Sequence, residues 1–140
     1  MEGKGLVTRD WAPQILILDR EAVGGFVAHC GWNSLTEGVS CGLPMVTWPV
    51  FGEQFYNEKL VTDILRIGVA NGAKKWSRIV EASVKWEDIR DAIEKVMMSE
   101  EGLEMRNRAK TLKEMARQAA EEGGSSYSDL SSLVQEVGSY

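Results

Sequence analysis

An α/β fold with a parallel sheet is the class this sequence predicts, and three observations carry the prediction. Short apolar runs alternate with turn residues and a helical segment in the first half, giving a strand, turn, helix, strand order. All three prolines and eight of the 14 glycines fall before residue 55. From residue 81 to 122 the chain changes character, with 19 of 42 residues charged and apolar side chains at helical spacing. No repeat, low-complexity tract or Gly/Ser linker divides the halves. A chain of 140 residues with 44% hydrophobic content is therefore read as a single domain, 1–140, with a buried core.

Each element has its own signal. Leu6-Val7-Thr8, Gly25-Phe26-Val27-Ala28 and Met45-Val46-Thr47-Trp48 read as short buried strands. Between the second and third lies a helix over 33–41, with Asn33 or Ser34 as candidate N-caps and Gly42, followed by Pro44, as its stop. A further helix is expected over 54–65, then a short strand over 67–70. Ile89, Ala92, Ile93, Val96 and Met97 mark one face of the next helix, with Ser83 as its N-cap. A helix over 101–121 should end at Gly123-Gly124. The last helix starts near Ser126, with Asp129 three residues on as a partial capping box. Leu130, Leu133, Val134 and Val137 form its expected buried stripe. Such stripes, including those of the helical segment 81–140, are core and receive no chemistry.

Composition excludes several functions. The net charge of −5 makes a poor nucleic-acid or membrane-surface binder. No apolar run approaches the roughly 18 residues of a membrane span, and the start Met1-Glu2-Gly3-Lys4-Gly5 lacks a signal-peptide pattern. Two cysteines, Cys30 and Cys41, make no disulfide framework and suit reduced thiols, so a cytoplasmic location is expected. A metal site built from His29, Cys30 and Cys41 fails on ligand count and spacing.

Chemistry concentrates between Ala22 and Gly52, where Glu37 is the only charged side chain. It sits in the helix that follows His29-Cys30-Gly31-Trp32-Asn33-Ser34. A helix N-terminus after a glycine turn at a strand's end offers free N–H groups and a favourable dipole to a phosphate. His29, Asn33 and Ser34 add side-chain donors there. Residues 1–54 carry three cations against six carboxylates, so phosphate binding would rest on backbone and neutral donors. Glu37, one turn beyond Asn33, suits the paired hydroxyls of a ribose. Glu53-Gln54 offers acceptors and donors to a polyhydroxylated ligand, and Trp11 offers a flat face for stacking. Taken singly, each has a blander role: His29 as a strand-end histidine, Glu37 as a solvated helix residue, Trp11 as core, Glu53-Gln54 as the opening of a helix.

Together these residues resemble a known signature. Trp11-Ala12-Pro13-Gln14, His29-Cys30-Gly31-Trp32-Asn33-Ser34, Glu37-Gly38, Gly42-Leu43-Pro44 and Glu53-Gln54 are similar to the 44-residue box of plant secondary-product UDP-glycosyltransferases, here 11–54. Phe55-Tyr56-Asn57-Glu58-Lys59-Leu60 and Gly123-Gly124-Ser125-Ser126 are similar to that family as well. Leu35-Thr36 and Cys41 depart from its common pattern, at positions expected to face the helix packing surface.

The resemblance implies a partial Rossmann-like parallel sheet flanked by helices, the C-terminal part of the donor-binding domain of a GT-B enzyme. It implies that Trp11 stacks on uracil, with Ala12 and Gln14 contacting the base or ribose, and that Glu37 holds the ribose hydroxyls. His29, Gly31, Trp32, Asn33 and Ser34 would hold the diphosphate, and Trp32, Glu53 and Gln54 the sugar. Gln54 at the last position of the box points to UDP-glucose. No Asp-x-Asp pair occurs, so neither a metal nor another cofactor is expected. The family's catalytic histidine lies in an N-terminal acceptor-binding domain, and the single histidine here, His29, occupies the donor-site position. The expectation is a monomeric UDP- and UDP-sugar-binding piece of an inverting glucosyltransferase, lacking that N-terminal domain and without turnover of its own. The alternative is a stand-alone nucleotide-sugar-binding module with no glycosyltransferase parent.

Overall fold

The computed structural model describes residues 4–73 and 84–139. Three short strands, β1 (Phe26–Ala28), β2 (Met45–Thr47) and β3 (Gly68–Ala70), form one sheet in the order β1-β2-β3. Both pairings are parallel, with Phe26 opposite Met45 and Met45 opposite Gly68. The helices are α1 (Gln14–Leu18), α2 (Trp32–Cys41), α3 (Gln54–Lys59), α4 (Trp86–Met98), α5 (Glu100–Ala120) and α6 (Ser125–Val137). A π-helical turn, Leu60–Ile64, continues α3. The structure bears out the partial parallel α/β sheet that the strand and turn pattern predicts.

Strand β2 is central and buried along its whole length. Met45 packs with Ala28, Cys30, Leu35, Val61, Ile67 and Ala109 on one side of the sheet. Val46 packs with Ala92, Val96 and Met105 on the other, as the two-residue period of a strand requires. Helix α2 approaches β2 closely because Gly38 has no side chain: a Cβ there would lie 2.9 Å from Met45 Cε. The same helix ends as its sequence announces. Gly42 is left-handed at φ 72°, and Gly42 N–H and Leu43 N–H donate to the carbonyls of Val39 and Gly38, both at 3.0 Å. That is a Schellman motif, and Pro44 follows it. Helix α5 starts on Ser99, whose hydroxyl accepts from Gly102 N–H at 2.9 Å.

Several expectations are corrected. Residues 6–8 form no strand: Leu6 and Val7 are almost fully exposed, because no described strand lies beside them. Asn33 and Ser34 do not cap α2; they lie inside its first turn, and Gly31 is the N-cap, with no side-chain cap bond. In α4, Ala92 and Val96 are buried while Ile93 and Met97 stay more than a third exposed. Thr36 faces away from the packing surface and donates to the carbonyls of Trp32 and Asn33, whereas Leu35 and Cys41 are buried. Helix α6 begins at Ser125 behind Gly124 without the Ser126 capping box. Its stripe of Leu130, Leu133, Val134 and Val137 is exposed, since no described element covers it. The Ser83 cap lies outside the described residues. The short helix α1 carried no periodic signal. Among the described residues, no helix is long and apolar enough to cross a membrane.

Beneath the sheet's carboxyl edge, Thr47 Oγ1 donates to the buried carboxylate of Glu58 at 2.7 Å. Burial raises the Glu58 pKa and outweighs the lowering by the Thr47 hydroxyl. The folded chain then holds a proton on Glu58 at pH values where the unfolded chain has lost it. Stability contributed by that proton falls as pH rises from the ordinary glutamate range through the raised value. Glu58→Gln keeps an acceptor for Thr47 without the charge. Its melting temperature relative to the parent should rise between pH 4 and 7, read by thermal denaturation; a difference independent of pH would contradict the raised pKa.

Candidate functional site

Parallel pairing puts the carboxyl ends of all three strands on one edge, where open α/β sheets bind ligands. The segment after β1 is the most constrained part of that edge. Cys30 is left-handed at φ 64°, a conformation costly for a residue with a Cβ, and its side chain is fully buried in the core. Gly31 then opens α2 in an extended conformation. The first intrahelical bond of α2 runs from Leu35 N–H to the Gly31 carbonyl at 3.1 Å. The N–H groups of Trp32, Asn33 and Ser34 precede it and have no acceptor within the helix. His29 lies over this end: a Cβ on Gly31 would overlap its imidazole. Trp32 and Asn33 are exposed and Ser34 is half-buried, so the first turn of α2 is open to a ligand.

A second group lies one turn along α2, about 6 Å at 1.5 Å per residue. Gln14, the first residue of α1, donates its side-chain amide to Glu37 Oε2 at 2.6 Å. Around this pair is a cavity of about 430 Å³, lined by the segment from Trp11 to Leu16 and by Glu37. Trp11 is 91% exposed at its rim, so it is not the core residue that a lone tryptophan suggests. The structure thus brings Trp11, Ala12, Gln14 and Glu37 together, although 23 residues separate the last two.

The third group follows β2. Glu53 is exposed as the N-cap of α3, and Gln54 opens that helix with only 3% of its surface exposed. Gln54 Oε1 accepts from the N–H groups of Val50 and Phe51 at 2.8 and 3.1 Å. Its carbonyl oxygen shapes the loop after β2, and among the described residues its amide nitrogen has no hydrogen-bond partner. Asn57, in the segment after the box and without a role assigned from the sequence, joins the site from the same helix: its Nδ2 donates to the Cys30 carbonyl at 2.9 Å. Its place in the sequence carries no periodic signal for that contact.

Between Ala22 and Gly52 the site has Glu37 as its single charge, so an anion at α2 would meet backbone N–H groups and neutral side chains. The thiols are unreactive neighbours. Burial pushes the Cys30 thiol up to about 11 and raises that of Cys41 as well. Among the described residues, no three His, Cys, Asp or Glu side chains cluster as metal ligands do.

The site therefore consists of an open helix N-terminus at the carboxyl edge of a parallel α/β sheet, beside a cavity that contains a carboxylate. Comparison supplies the class. The chain belongs to the UDP-glucoronosyl and UDP-glucosyl transferase family, whose model matches residues 3–118. It is 61% identical to UDP-glucosyl transferase 73M2 of Saponaria officinalis over 98% of this chain and 28% of that protein. Its structure superposes on a UDP-glucosyltransferase of Polygonum tinctorium capable of glucosylating indoxyl with a TM-score of 0.87 and 36% identity, over 96% of this chain and 28% of the other. Os79 of O. sativa in complex with UDP matches with a TM-score of 0.81 and 28% identity, over 90% of this chain and 28% of that one. The chain therefore spans less than a third of the length of these relatives, and the fold is the corresponding portion of a GT-B glycosyltransferase.

The thiols give a direct check on the packing of the site. A disulfide reagent at pH 8 should label Cys30 far more slowly than a free cysteine, with full labelling after denaturation. Fast labelling of Cys30 in the folded chain would contradict the buried, left-handed turn.

Proposed function

We propose that this chain is the UDP-sugar-binding part of a plant glycosyltransferase, with UDP-glucose as the donor. The observation that carries the reading is the placement of the open N-terminus of α2, with His29 above it, one turn from the cavity of Trp11, Gln14 and Glu37. Family membership and a structural match to a relative in complex with UDP support it.

In this reading Trp11 stacks on the uracil, while Ala12 and Gln14 meet the base and ribose. Gln14 occupies Glu37 Oε2, which orients the carboxylate and leaves Oε1 to accept from the ribose hydroxyls. The diphosphate lies against Gly31, Trp32, Asn33 and Ser34 and receives the His29 imidazole. A dipole and free amides replace a cationic cradle, with no metal in the cleft. Trp32, Glu53 and the Gln54 amide nitrogen face the glucose. The reaction of the longer protein is inverting transfer to an acceptor hydroxyl. A base removes the acceptor proton, the hydroxyl oxygen attacks the anomeric carbon, and the bond to the diphosphate breaks. The electron pair leaves on the diphosphate, whose growing charge the α2 N-terminus and His29 stabilise. No residue of this chain serves as that base. It is assigned to the part of the longer relatives that this chain does not span, and the reading is that the 140 residues bind UDP and UDP-glucose without turnover.

Calorimetry with UDP and with inorganic pyrophosphate tests the reading. UDP should bind, and Glu37→Ala should weaken UDP about tenfold while leaving pyrophosphate within twofold, since only the ribose uses the carboxylate. Equal losses for both ligands would remove the ribose role. Product formed from UDP-glucose and a phenolic acceptor by this chain alone would contradict the assignment of the base elsewhere.

A further inference from the structure

The contact between Asn57 and the turn after β1 is not used by any step above. Among the described residues only Cys30 and Arg66 are non-glycine residues with positive φ, and Cys30 is the one at the site. Its thiol is locked in the core, with the Sγ–H directed at the Ala28 carbonyl 3.7 Å away. Its own carbonyl is taken by Asn57 Nδ2 at 2.9 Å. Asn57 is itself held rigidly: its N–H donates to the Glu53 carbonyl at 3.0 Å, and the next residue, Glu58, is tied to Thr47 on β2. A left-handed L-residue persists only where its surroundings over-determine it. Here the anchors are the buried thiol on one side and the Asn57 amide on the other.

We infer that Asn57 is a positioning residue: its amide clamps Cys30 in the left-handed conformation that aims His29 and Gly31 at the phosphate end of the site. It also couples that turn to the sugar-facing end, because Glu53 and Gln54 open the helix that carries Asn57. The ligand side of this inference rests on the UDP reading, whereas the clamp is a property of the free chain. Asn57 lies outside the cavity of Trp11, Gln14 and Glu37, so its loss should spare the nucleoside end.

The test uses the full 140-residue chain with Asn57→Ala and with Asn57→Leu. Leucine keeps the size of the side chain but has no N–H to donate to the Cys30 carbonyl. In the ligand-free chain, both variants should move the amide signals of Gly31, Trp32, Asn33 and Ser34 and the Cα shift of residue 30 away from left-handed values. Pyrophosphate affinity should fall about tenfold in both and uridine affinity stay within twofold. Unchanged signals at residues 30–34 would overturn the inference, and so would equal losses of pyrophosphate and uridine affinity, which would mark a general loss of structure. If the parent chain bound neither ligand, the UDP reading would fail while the signals of residues 30–34 still decided the clamp.

Discussion

Because β2 is paired in parallel on both edges and covered on both faces, the whole site inherits its direction. Met45 and Thr47 look one way and Val46 the other, and each side finds its own packing partners. Parallel pairing sends the three strand ends to a single edge, so the turn at His29, the loop before Gln54 and the segment after Ala70 are neighbours. The residues at the sheet edge need no long loop to hold them, whereas Trp11 and Ala12 lie in the irregular segment before α1. The turn hangs on β1, the α3 side chains are tied to β2 by the Thr47–Glu58 pair, and α2 is drawn against the sheet through Gly38.

That rigidity explains how an acidic chain could hold a nucleoside diphosphate. A flexible cationic cradle would lose entropy on closing and depend on salt. A helix N-terminus and a fixed turn have their donors in place beforehand. The strain of a left-handed Cys30 is the counterpart of this arrangement. It is tolerated because a buried thiol and an amide from α3 hold the turn from opposite sides. Glu37 is the single charged side chain between Ala22 and Gly52, and Gln14 orients it by donating to one oxygen.

Local chemistry was legible in the sequence and long-range partnership was not. Gly42 and Pro44 announce the end of α2, and the glycine turn after Ala28 announces its start, because φ preferences act within a few residues. The spacing from Trp11 to Gln54 singled out the cluster and the family, and the family model bears the latter out. What periodicity cannot report is which surface an apolar face meets. Residues 6–8 and the α6 stripe both read as buried, yet no described element lies against them. The same limit hid the contacts of the site. Gln14 with Glu37 and Asn57 with Cys30 span 23 and 27 residues, and only the folded sheet brings them together. The cap lies two residues before Asn33 and three before Ser34, since Gly31 can serve in that position without a side chain.

The central claim is that one continuous surface, from the rim of the Trp11 cavity to the first turn of α2, receives UDP. Backbone amide shifts followed during a UDP titration of the labelled chain test it most directly. The account predicts saturable shifts at Trp11, at residues 29–34 and at Glu37, with α5 and α6 unmoved. Shifts that miss those positions, or a chain that shows none at millimolar UDP, would contradict it.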